Sequence, residues 1–391
     1  MIVIWIGASS VLIWIYLLLG RGGFWHMTVD DPGSGPRVPD DRKVAVIVPA
    51  RNEAGVVGRA VESLLGQDFT GSLHIFLVDD HSADRTADIA RQSAQHGASP
   101  ERFTLLEARA LPAGWTGKLW AVSEGLAAAA AFLPDYIWLT DADIAHEPEI
   151  LSSLLERAET GNFDLVSLMV KLHCQSLAER MLIPAFVFFF FKLYPPAWVN
   201  RPESRTAAAA GGCILVRPQA LARMGGIGAI REQLIDDCAL ARTVKKNGKV
   251  WLGLTARSKA LRNYQGFREI GGMIARTAFT QLHHSPWLLC AVIAGMALTY
   301  LAPVLLLSAG RWAAAAGFAA WLLMAMAYRP ILRFYGLSPI WALFLPLTAG
   351  FYVAATVYSA FAYWSGQGGW WKGRAQDVTG ARPPRASNDP S

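Results

Sequence analysis

The sequence is poor in charged residues and in cysteine. Charged side chains make up 17% of the 391 residues and hydrophobic ones 53%, a balance that argues against a wholly soluble protein. None of the four cysteines lies in a CxxC pair, so we expect buried or free thiols in a reducing compartment. The sequence also lacks GxGxxG and GxxxxGKS/T, which excludes the dinucleotide fingerprint and the P-loop.

The positive charge of the chain is not concentrated in one segment. The formal net charge is +6, but the basic residues are scattered and no nucleic-acid-binding motif is present. This balance suits contact with phosphates or anionic lipid headgroups and excludes nucleic acid as the expected partner.

Long apolar runs stand at both ends of the chain. Residues 2–19 contain no charge and are long enough to span a bilayer. Because no Ala-x-Ala-like site follows them, we predict a retained transmembrane anchor at residues 1–20. Three further runs occupy residues 287–309, 312–328 and 338–362. They predict C-terminal transmembrane helices within residues 286–364. The middle run is either a marginal crossing or a re-entrant segment. A polar basic tail follows at residues 365–391.

The charges beside these runs predict an orientation. Arg21, Arg42 and Lys43 follow the first run, which places the central domain, residues 43–285, on the cytoplasmic side. Three simple crossings after the domain would put the basic tail outside, whereas an even number would keep it inside. The number of C-terminal crossings stays open at this point.

The central domain alternates between strand and helix patterns. Short apolar runs predict strands at residues 44–48, 73–78, 103–106 and 136–140. Helical periodicity predicts helices at residues 56–64 and 119–132, and a further helix that Ser82 would cap at its N-terminus. This alternation predicts an α/β fold in which a mostly parallel sheet is flanked by helices.

Polar residues follow three of the predicted strands. Asn52 and Glu53 follow the first strand, Asp80 the second, and Asp141 and Asp143 the strand at residues 136–140. Each group alone could be a capped turn. Together they predict a ligand site, because open α/β sheets bind ligands at the carboxyl ends of their strands. Two acids one residue apart can also bind a hard divalent cation that carries a diphosphate.

Six segments in order resemble the family 2 glycosyltransferases of GT-A fold, over residues 44–284. They are Val48-Pro49-Ala50-Arg51-Asn52-Glu53, Val78-Asp79-Asp80, Gly117-Lys118-Leu119-Trp120-Ala121 with Gly125, Thr140-Asp141-Ala142-Asp143, Ala210-Gly211-Gly212-Cys213 and Leu234-Ile235-Asp236-Asp237. The resemblance implies a GT-A-like sheet and an enzyme that transfers a sugar from a nucleotide-sugar donor, with a UDP-sugar favoured.

The resemblance implies roles for four acids. Asp143, with Asp141, would hold a divalent cation, Mg²⁺ or Mn²⁺, which suits oxygen ligands and would act as a Lewis acid at the departing diphosphate. Asp237, beside Asp236, would be the general base for an inverting displacement. From the residues alone, the Asp236-Asp237 pair could equally be an N-terminal helix cap.

Further donor contacts follow from the same resemblance. The nucleoside pocket would be lined by Pro49, Asn52, Glu53 and Asp80. Lys118 would offer a cation to phosphate or sugar, although a lysine at a helix start is often simply solvated. Gly211 and Gly212 would let the backbone approach the sugar closely.

The chain departs from the pattern of processive members at one point. Residues 273–277 keep only Arg276 of the QxxRW motif, so we expect transfer of a single sugar, with Arg276 either at the diphosphate or at the membrane interface. The apolar ends resemble the hopene-associated glycosyltransferases of hopanoid biosynthesis clusters. That narrower resemblance implies a lipid acceptor, a hopanoid, and a multi-pass protein of a bacterial-type inner membrane.

Other functions remain open alternatives from sequence. The acceptor could instead be a sphingoid lipid or polyprenyl phosphate. A membrane nucleotidyltransferase could use the same sheet and acid pair, although only Arg51 is available near the first strand as a basic group. An inactive scaffold is a third alternative, against which the retained acids argue.

Three segments bear on the membrane boundary. Residues 182–191, with four consecutive phenylalanines, predict either a helix lying along the interface or a buried helix. His283 and His284 have no metal-ligand spacing and are interpreted as polar residues beside the membrane. Residues 370–374 would anchor at the headgroups or contact phosphate.

Overall fold

The described residues of this computed structural model are 1–27, 29, 41–97, 99–366, 370–371 and 374–375. Most of the polar linker after the first apolar run lies outside them, as does most of the basic tail, including part of the segment 370–374 to which an anchoring role was assigned.

Between residues 43 and 139, the described helices and strands follow one another in the order that the periodicity predicts. The α-helices are α1 Ile2–Leu19, α2 Val57–Leu65, α3 Thr86–His96, α4 Gly117–Ala129, α5 Ile150–Thr160, α6 Leu177–Leu193, α7 Pro196–Val199, α8 Pro218–Arg223, α9 Asp236–Val244, α10 Phe267–Gln281, α11 Pro286–Met296, α12 Ala302–Leu305, α13 Arg311–Phe334 and α14 Leu345–Trp364. The strands are β1 Lys43–Ala50, β2 Ser72–Asp79, β3 Phe103–Glu107, β4 Tyr136–Leu139, β5 Ile144–His146, β6 Leu165–Lys171, β7 Ile214–Val216, β8 Val250–Ala260, β9 Trp370–Trp371 and β10 Arg374–Ala375.

Eight of the described strands form one mixed sheet in the order β3-β2-β1-β4-β7-β6-β8-β5. Strands β3, β2, β1 and β4 run parallel to one another, and β6 runs parallel to β8. Strand β7 is antiparallel to both of its neighbours, and β5 is antiparallel to β8. The predicted α/β class with flanking helices is confirmed. The carboxyl ends of β1, β2 and β4 share one edge, where their polar residues meet.

Helices cover both faces of this sheet. Along β1, Val44, Val46 and Val48 pack into the core shared with α2, α3 and α5, while Ala45 and Ile47 pack into the core shared with α4. Both faces of the strand are therefore buried, as expected for a continuous β-branched run.

Glycine sets how closely α4 approaches the sheet. A β carbon at Gly125 would lie 2.6 Å from Ile47 Cγ2 and 3.1 Å from Val78 Cγ2. Glycine at this position therefore lets α4 rest directly on β1 and β2.

Helix α3 begins later than predicted. Its N-cap is Arg85, and the amide N–H of Thr86 donates to Asp84 Oδ1 at 3.0 Å. The predicted cap, Ser82, instead donates its hydroxyl proton to Asp79 and accepts from the amide of Asn52 at 2.9 Å. Ser82 therefore links two strand-end loops, and the prediction of a Ser82 cap was wrong.

Among the described residues, five helical stretches are long and apolar enough to cross a membrane. They are Ile2–Leu19, Leu177–Val199, Pro286–Ser308, Arg311–Phe334 and Pro339–Trp364. The run at 312–328 was predicted to be marginal in length, but it belongs to a 24-residue helix that continues through Arg329 and Arg333. The first stretch packs against the C-terminal ones: Trp14 Nε1 donates to Thr299 O at 2.9 Å, and Ser10 Oγ donates to Leu298 O at 2.8 Å.

The phenylalanine-rich run belongs to α6. The helix begins with a capping box, in which Ser176 Oγ accepts from Glu179 N at 3.2 Å and the Glu179 carboxylate accepts from Ser176 N at 2.9 Å. Phe188 and Phe191 are completely buried. Of the two alternatives, the buried helix describes this segment.

Candidate active site

A pocket opens at the shared carboxyl edge of β1, β2 and β4. Its lining includes Pro49 near the end of β1, Lys118 of α4, Asp141 after β4, Gly211 before β7, and Asp236 and Asp237 of α9. We call it the acidic pocket. Six of the predicted site residues, from five segments far apart in sequence, meet there.

Lys118 is the cation at the centre of this pocket. It stands in the first turn of α4, where Thr116 caps the amide of Leu119. Its Nζ lies 2.8 Å from Asp141 Oδ1 and 3.4 Å from Asp236 Oδ2. Burial lowers the pKa of Lys118, but the carboxylates of Asp141 and Asp236 outweigh burial and raise it overall. The lysine is therefore charged and neutralises part of an acidic cluster.

Asp237 is held in one orientation by two backbone amides. Gly211 N donates to Asp237 Oδ2 at 2.9 Å, and Cys238 N donates to Oδ1 at 2.6 Å. Burial and the neighbouring Asp236 carboxylate raise the pKa of Asp237 to about 6, although Lys118 and the two amides oppose that rise. A carboxylate with a raised pKa accepts a proton more readily, which suits a general base.

The two glycines of the 210–213 segment face different surroundings. A β carbon on Gly211 would lie 3.2 Å from Lys118 Nζ and 3.6 Å from both Asp141 Oδ2 and Asp237 Oδ2. One on Gly212 would instead meet Val170 at 3.1 Å, on the sheet side. Only Gly211 borders the acidic pocket, so the close approach to a ligand predicted for both glycines fits Gly211.

We expect Gly211→Ala to weaken donor binding while leaving the fold intact. The added methyl group would stand among Lys118, Asp141 and Asp237, and Lys118 can move only by giving up a close ion pair. Overfilling of this kind costs about 1–3 kcal/mol, which corresponds to roughly a 10- to 100-fold rise in donor KM. Steady-state kinetics check this, with Gly55→Ala as the control because a β carbon at Gly55 meets no atom within 4 Å. Equal donor KM values in the two variants would contradict it.

A second cluster lies beside the acidic pocket and contains Asp143. Arg262 Nη2 donates to Glu53 Oε2 at 3.1 Å, and Arg262 Nε lies 3.9 Å from Asp143 Oδ2. The amide of Leu261 donates to the Asp143 carbonyl at 2.8 Å, which fixes the chain after β8 against the acidic turn. Asp143 is absent from the lining of the acidic pocket itself.

Two buried polar side chains fix the turn that carries Asp141 and Asp143. Thr140 Oγ1 donates to the carbonyl of Gly212 at 2.9 Å and lies 2.9 Å from His146 Nε2. His146 Nδ1 contacts Ser258 Oγ at 2.8 Å. Burial lowers the pKa of His146 to about 3, so the imidazole is neutral and acts as a structural link between β5 and β8.

The first two strand-end loops are joined by hydrogen bonds. Asn52 Oδ1 accepts from Ala83 N at 2.8 Å, and Arg51 Nη1 donates to the carbonyl of Asp80. Asp80 is 2% exposed, and its carboxylate lies 3.6 Å from Arg51. Asn52 has a positive φ of 51°, a region that asparagine tolerates better than most residues. Two of the predicted nucleoside-binding residues, Asn52 and Asp80, therefore lie in loops that are joined to each other at the expected edge.

Arg276 lies on α10 and does not line the acidic pocket. It lies close to the cluster that contains Asp143: burial and the Asp143 carboxylate raise the pKa of Tyr264, and the guanidinium groups of Arg262 and Arg276 oppose that rise. The contact of Arg276 with the diphosphate stays a prediction. Arg262 belongs to the same neighbourhood, although the sequence motifs did not indicate it.

The acidic residues suit a divalent cation that a substrate helps to bind. Within the described parts of the chain, no group of three or more His, Cys, Asp or Glu side chains is placed to hold a metal by itself. Mg²⁺ commonly binds through one or two carboxylates, with waters and substrate phosphates completing its shell. The side chains of Asp141 and Asp143 are 35% and 22% exposed, so both offer oxygens to such an ion.

The sheet and its acidic edge define a GT-A-type fold. The structure is similar to that of the mannosyltransferase PcManGT from Pyrobaculum calidifontis in complex with GDP-Man and Mn²⁺, with a TM-score of 0.53 and 17% identity. The similarity covers 91% of this chain and 98% of that one. At this identity the similarity establishes the fold.

Sequence comparison identifies the family of the domain. Residues 45–225 match the family model described as Glycosyl transferase family 2, and this part of the chain is a glycosyltransferase family 2 domain. An N-acetylglucosaminyltransferase of Rhizobium leguminosarum bv. viciae is 33% identical over 115 residues, which are 29% of this chain and 25% of that protein. The probable glycosyltransferase YdaM of Bacillus subtilis is 31% identical over 143 residues, 34% of this chain and 32% of that protein. The chain therefore matches between a quarter and a third of the length of these relatives.

Proposed function

We propose that this protein transfers one sugar from a nucleotide-sugar donor to a membrane lipid, with inversion at the anomeric carbon. The observation that carries the proposal is the convergence of Lys118, Asp141 and Asp237 on the backbone of Gly211. Such a site can hold a negatively charged leaving group on one side and an acceptor hydroxyl on the other. The mannosyltransferase complex with GDP-Man and Mn²⁺ supports a nucleotide-sugar donor and a divalent cation.

In this proposal, the donor is held at the shared strand edge. Asp80, Asn52 and Glu53 form the rim for the nucleoside, and Lys118 and Arg262 face the diphosphate. A cation bound by Asp143 and Asp141 would supply Lewis-acid stabilisation of the negative charge on the leaving diphosphate. Lys118 lies 2.8 Å from Asp141 and Arg262 lies 3.9 Å from Asp143, so each of these acids also has a basic neighbour.

Asp237 performs the proton transfer. The acceptor oxygen attacks the anomeric carbon, its proton passes to the Asp237 carboxylate, and the bond from that carbon to the diphosphate oxygen breaks with its electron pair leaving on the diphosphate. Gly211 N and Cys238 N hold both carboxylate oxygens, so the base is oriented before the acceptor arrives. A single displacement of this kind inverts the anomeric centre.

The apolar stretches support a lipid acceptor. Residues 43–285 would be the catalytic domain, held at a bacterial-type inner membrane on its cytoplasmic side by residues 1–20 and 286–364. A hopanoid is the proposed acceptor, and a UDP-sugar the favoured donor. Sphingoid lipids and polyprenyl phosphate are the alternative acceptors.

Donor and acceptor can be identified in one experiment. Purified protein in vesicles containing extracted bacterial lipids is incubated with radiolabelled UDP- and GDP-sugars and Mg²⁺ or Mn²⁺. The expected result is label in a lipid product that depends on one donor and on the cation. Label entering the lipid from the nucleotide instead of the sugar would overturn the proposal in favour of a nucleotidyltransferase.

Turnover should fall as the pH decreases through about 6, because protonation removes the base and Asp237 has a raised pKa of that value. Replacing Asp236 by Asn removes the like charge that helps to raise this pKa. We therefore expect the acid limb of the pH profile to move to lower pH in Asp236→Asn, even if the maximal rate also decreases. The measurement is kcat/KM against pH, and an unmoved acid limb would contradict the assignment.

A further inference from the structure

Helix α9 separates the acidic pocket from a second pocket. Asp236, Asp237 and Leu240 line the first, whereas Cys238, Ala239 and Arg242 of the same helix line the second. We call the second the α9–α10 pocket, lined by Glu232, Gln233, Leu234, Ile235, Cys238, Ala239, Arg242, Thr280, Gln281, His283 and His284. Its cavity volume is about 360 Å³, against about 20 Å³ for the acidic pocket.

This pocket lies where the catalytic domain meets two of the apolar stretches. His284 precedes by two residues the stretch Pro286–Ser308. Its imidazole stacks on the ring of Tyr363 at 4.0 Å, in the last turn of the stretch Pro339–Trp364. Trp287, the next aromatic residue along the chain, is 85% exposed, as expected for a residue that meets lipid headgroups. The pocket therefore lies at the membrane boundary of the domain.

The lining combines an apolar wall with hydrogen-bond donors. Leu234, Ile235 and Ala239 supply apolar surface, while Arg242 and His283 supply donors. Arg242 is exposed at the pocket, near Tyr194 and Cys238, so its guanidinium faces an oxygen-rich group bound there. A surface of this kind suits an amphiphile, whose polar head and apolar chain need opposite surroundings.

The two histidines are held in a rarely populated backbone conformation. His283 and His284 have φ values of 51° and 55°, where residues with a β carbon are uncommon. Their amides donate to the carbonyls of Thr280 and Phe279 at 2.9 and 3.1 Å, which closes the end of α10. Consecutive strained residues of this type often mark a binding site.

We propose that the α9–α10 pocket binds the headgroup of the lipid acceptor, a membrane amphiphile whose polar head bears hydroxyl or phosphate oxygens. The lipid would arrive from the bilayer beside Tyr363, and its reacting hydroxyl would reach Asp237 around the first turn of α9. This inference rests on the proposed glycosyl transfer and adds to it the place from which the acceptor enters.

Two variants test the pocket. Arg242→Ala removes the exposed guanidinium of the lining, and His283→Gly removes an imidazole at a position whose positive φ glycine adopts without strain. Lys246→Ala is the matched control, because it removes an exposed charge just after the same helix and outside the pocket. The proteins are assayed in phosphatidylcholine vesicles that contain either a hydroxylated hopanoid or polyprenyl phosphate.

The expected result is a rise of about 10-fold or more in the acceptor KM of both pocket variants, well above any change in donor KM. A rise with both lipids assigns the pocket to headgroup oxygens in general, and a rise with polyprenyl phosphate alone assigns it to phosphate. If transfer proceeds and acceptor KM matches that of Lys246→Ala, the inference is overturned while the proposed function stands.

Hydrogen exchange provides a measurement that does not require turnover. Adding either lipid to the vesicles should slow amide exchange at residues 231–242 and 279–284 in the unmodified protein, and less so in Arg242→Ala. Unchanged exchange in these segments would overturn the pocket assignment even if no donor were turned over, which separates its failure from failure of the proposed function.

Discussion

Asp237→Asn should reduce kcat by between about 10² and 10⁴, the range typical for loss of a general base. The amide cannot accept the proton of the acceptor hydroxyl. It also leaves either Gly211 N or Cys238 N facing an NH₂ group, since both oxygens of Asp237 accept a backbone hydrogen bond. The substitution also relieves the repulsion between residue 237 and Asp236, which offsets the loss of stability from the missing hydrogen bond. We therefore expect the melting temperature to change far less than the rate.

The control for this variant is Asp88→Asn, which makes the same chemical change at an exposed position on α3. Asp88 pairs only at the surface, with Arg91 at 3.2 Å. Turnover is measured with the donor and lipid identified by the radiolabelled panel, and folding by thermal melting in detergent. Undiminished turnover of Asp237→Asn would remove Asp237 from the reaction.

Asp143→Ala should lower kcat by about 10²-fold or more, because Lewis-acid stabilisation of a leaving diphosphate is worth several kcal/mol. The variant should also bind Mn²⁺ more weakly in the presence of a nucleoside diphosphate. Arg262 would keep its contact with Glu53, so the local fold should survive the substitution.

Binding of Mn²⁺ can be followed by electron paramagnetic resonance, independently of turnover. Asp88→Ala is the matched control, since it removes a carboxylate of equal charge far from the site. An Asp143→Ala protein that binds Mn²⁺ with wild-type affinity would show that another group holds the cation. Weakened binding with full turnover would show that the cation has no part in the chemistry.

Much of the fold could be predicted from local sequence because its strands are buried on both faces. The run at 44–48 contains only β-branched and small apolar residues, and the structure extends it by a few residues to β1. Helix boundaries were harder to predict. Ser82 has the side chain of a cap, but the hydroxyl bonds to Asp79 and Asn52, partners that only the paired loops of β1 and β2 bring together.

The candidate site was predictable where its residues belong to local motifs and not where they meet through tertiary contacts. Asp141 and Asp143 follow a recognisable strand. Arg262 escaped prediction because its partner Glu53 is 209 residues away along the chain. The α9–α10 pocket was equally hidden, since its two walls come from separate helices. The role of Arg276 rests on the one residue kept from a longer motif and stays a prediction, and Arg262 lies in the same neighbourhood.

The packing of α1 against the C-terminal stretches has a consequence for substrate choice. Trp14 and Ser10 bond to the backbone of residues 298–299, so the apolar stretch that precedes the domain is joined to the one that follows it. Because the domain lies between these two stretches in sequence, we expect their pairing to restrict its tilt and, where the stretches cross a bilayer, to keep Asp237 at a constant height above the lipid headgroups. The protein would then select acceptors by the distance from their hydroxyl to the bilayer as well as by their chemistry.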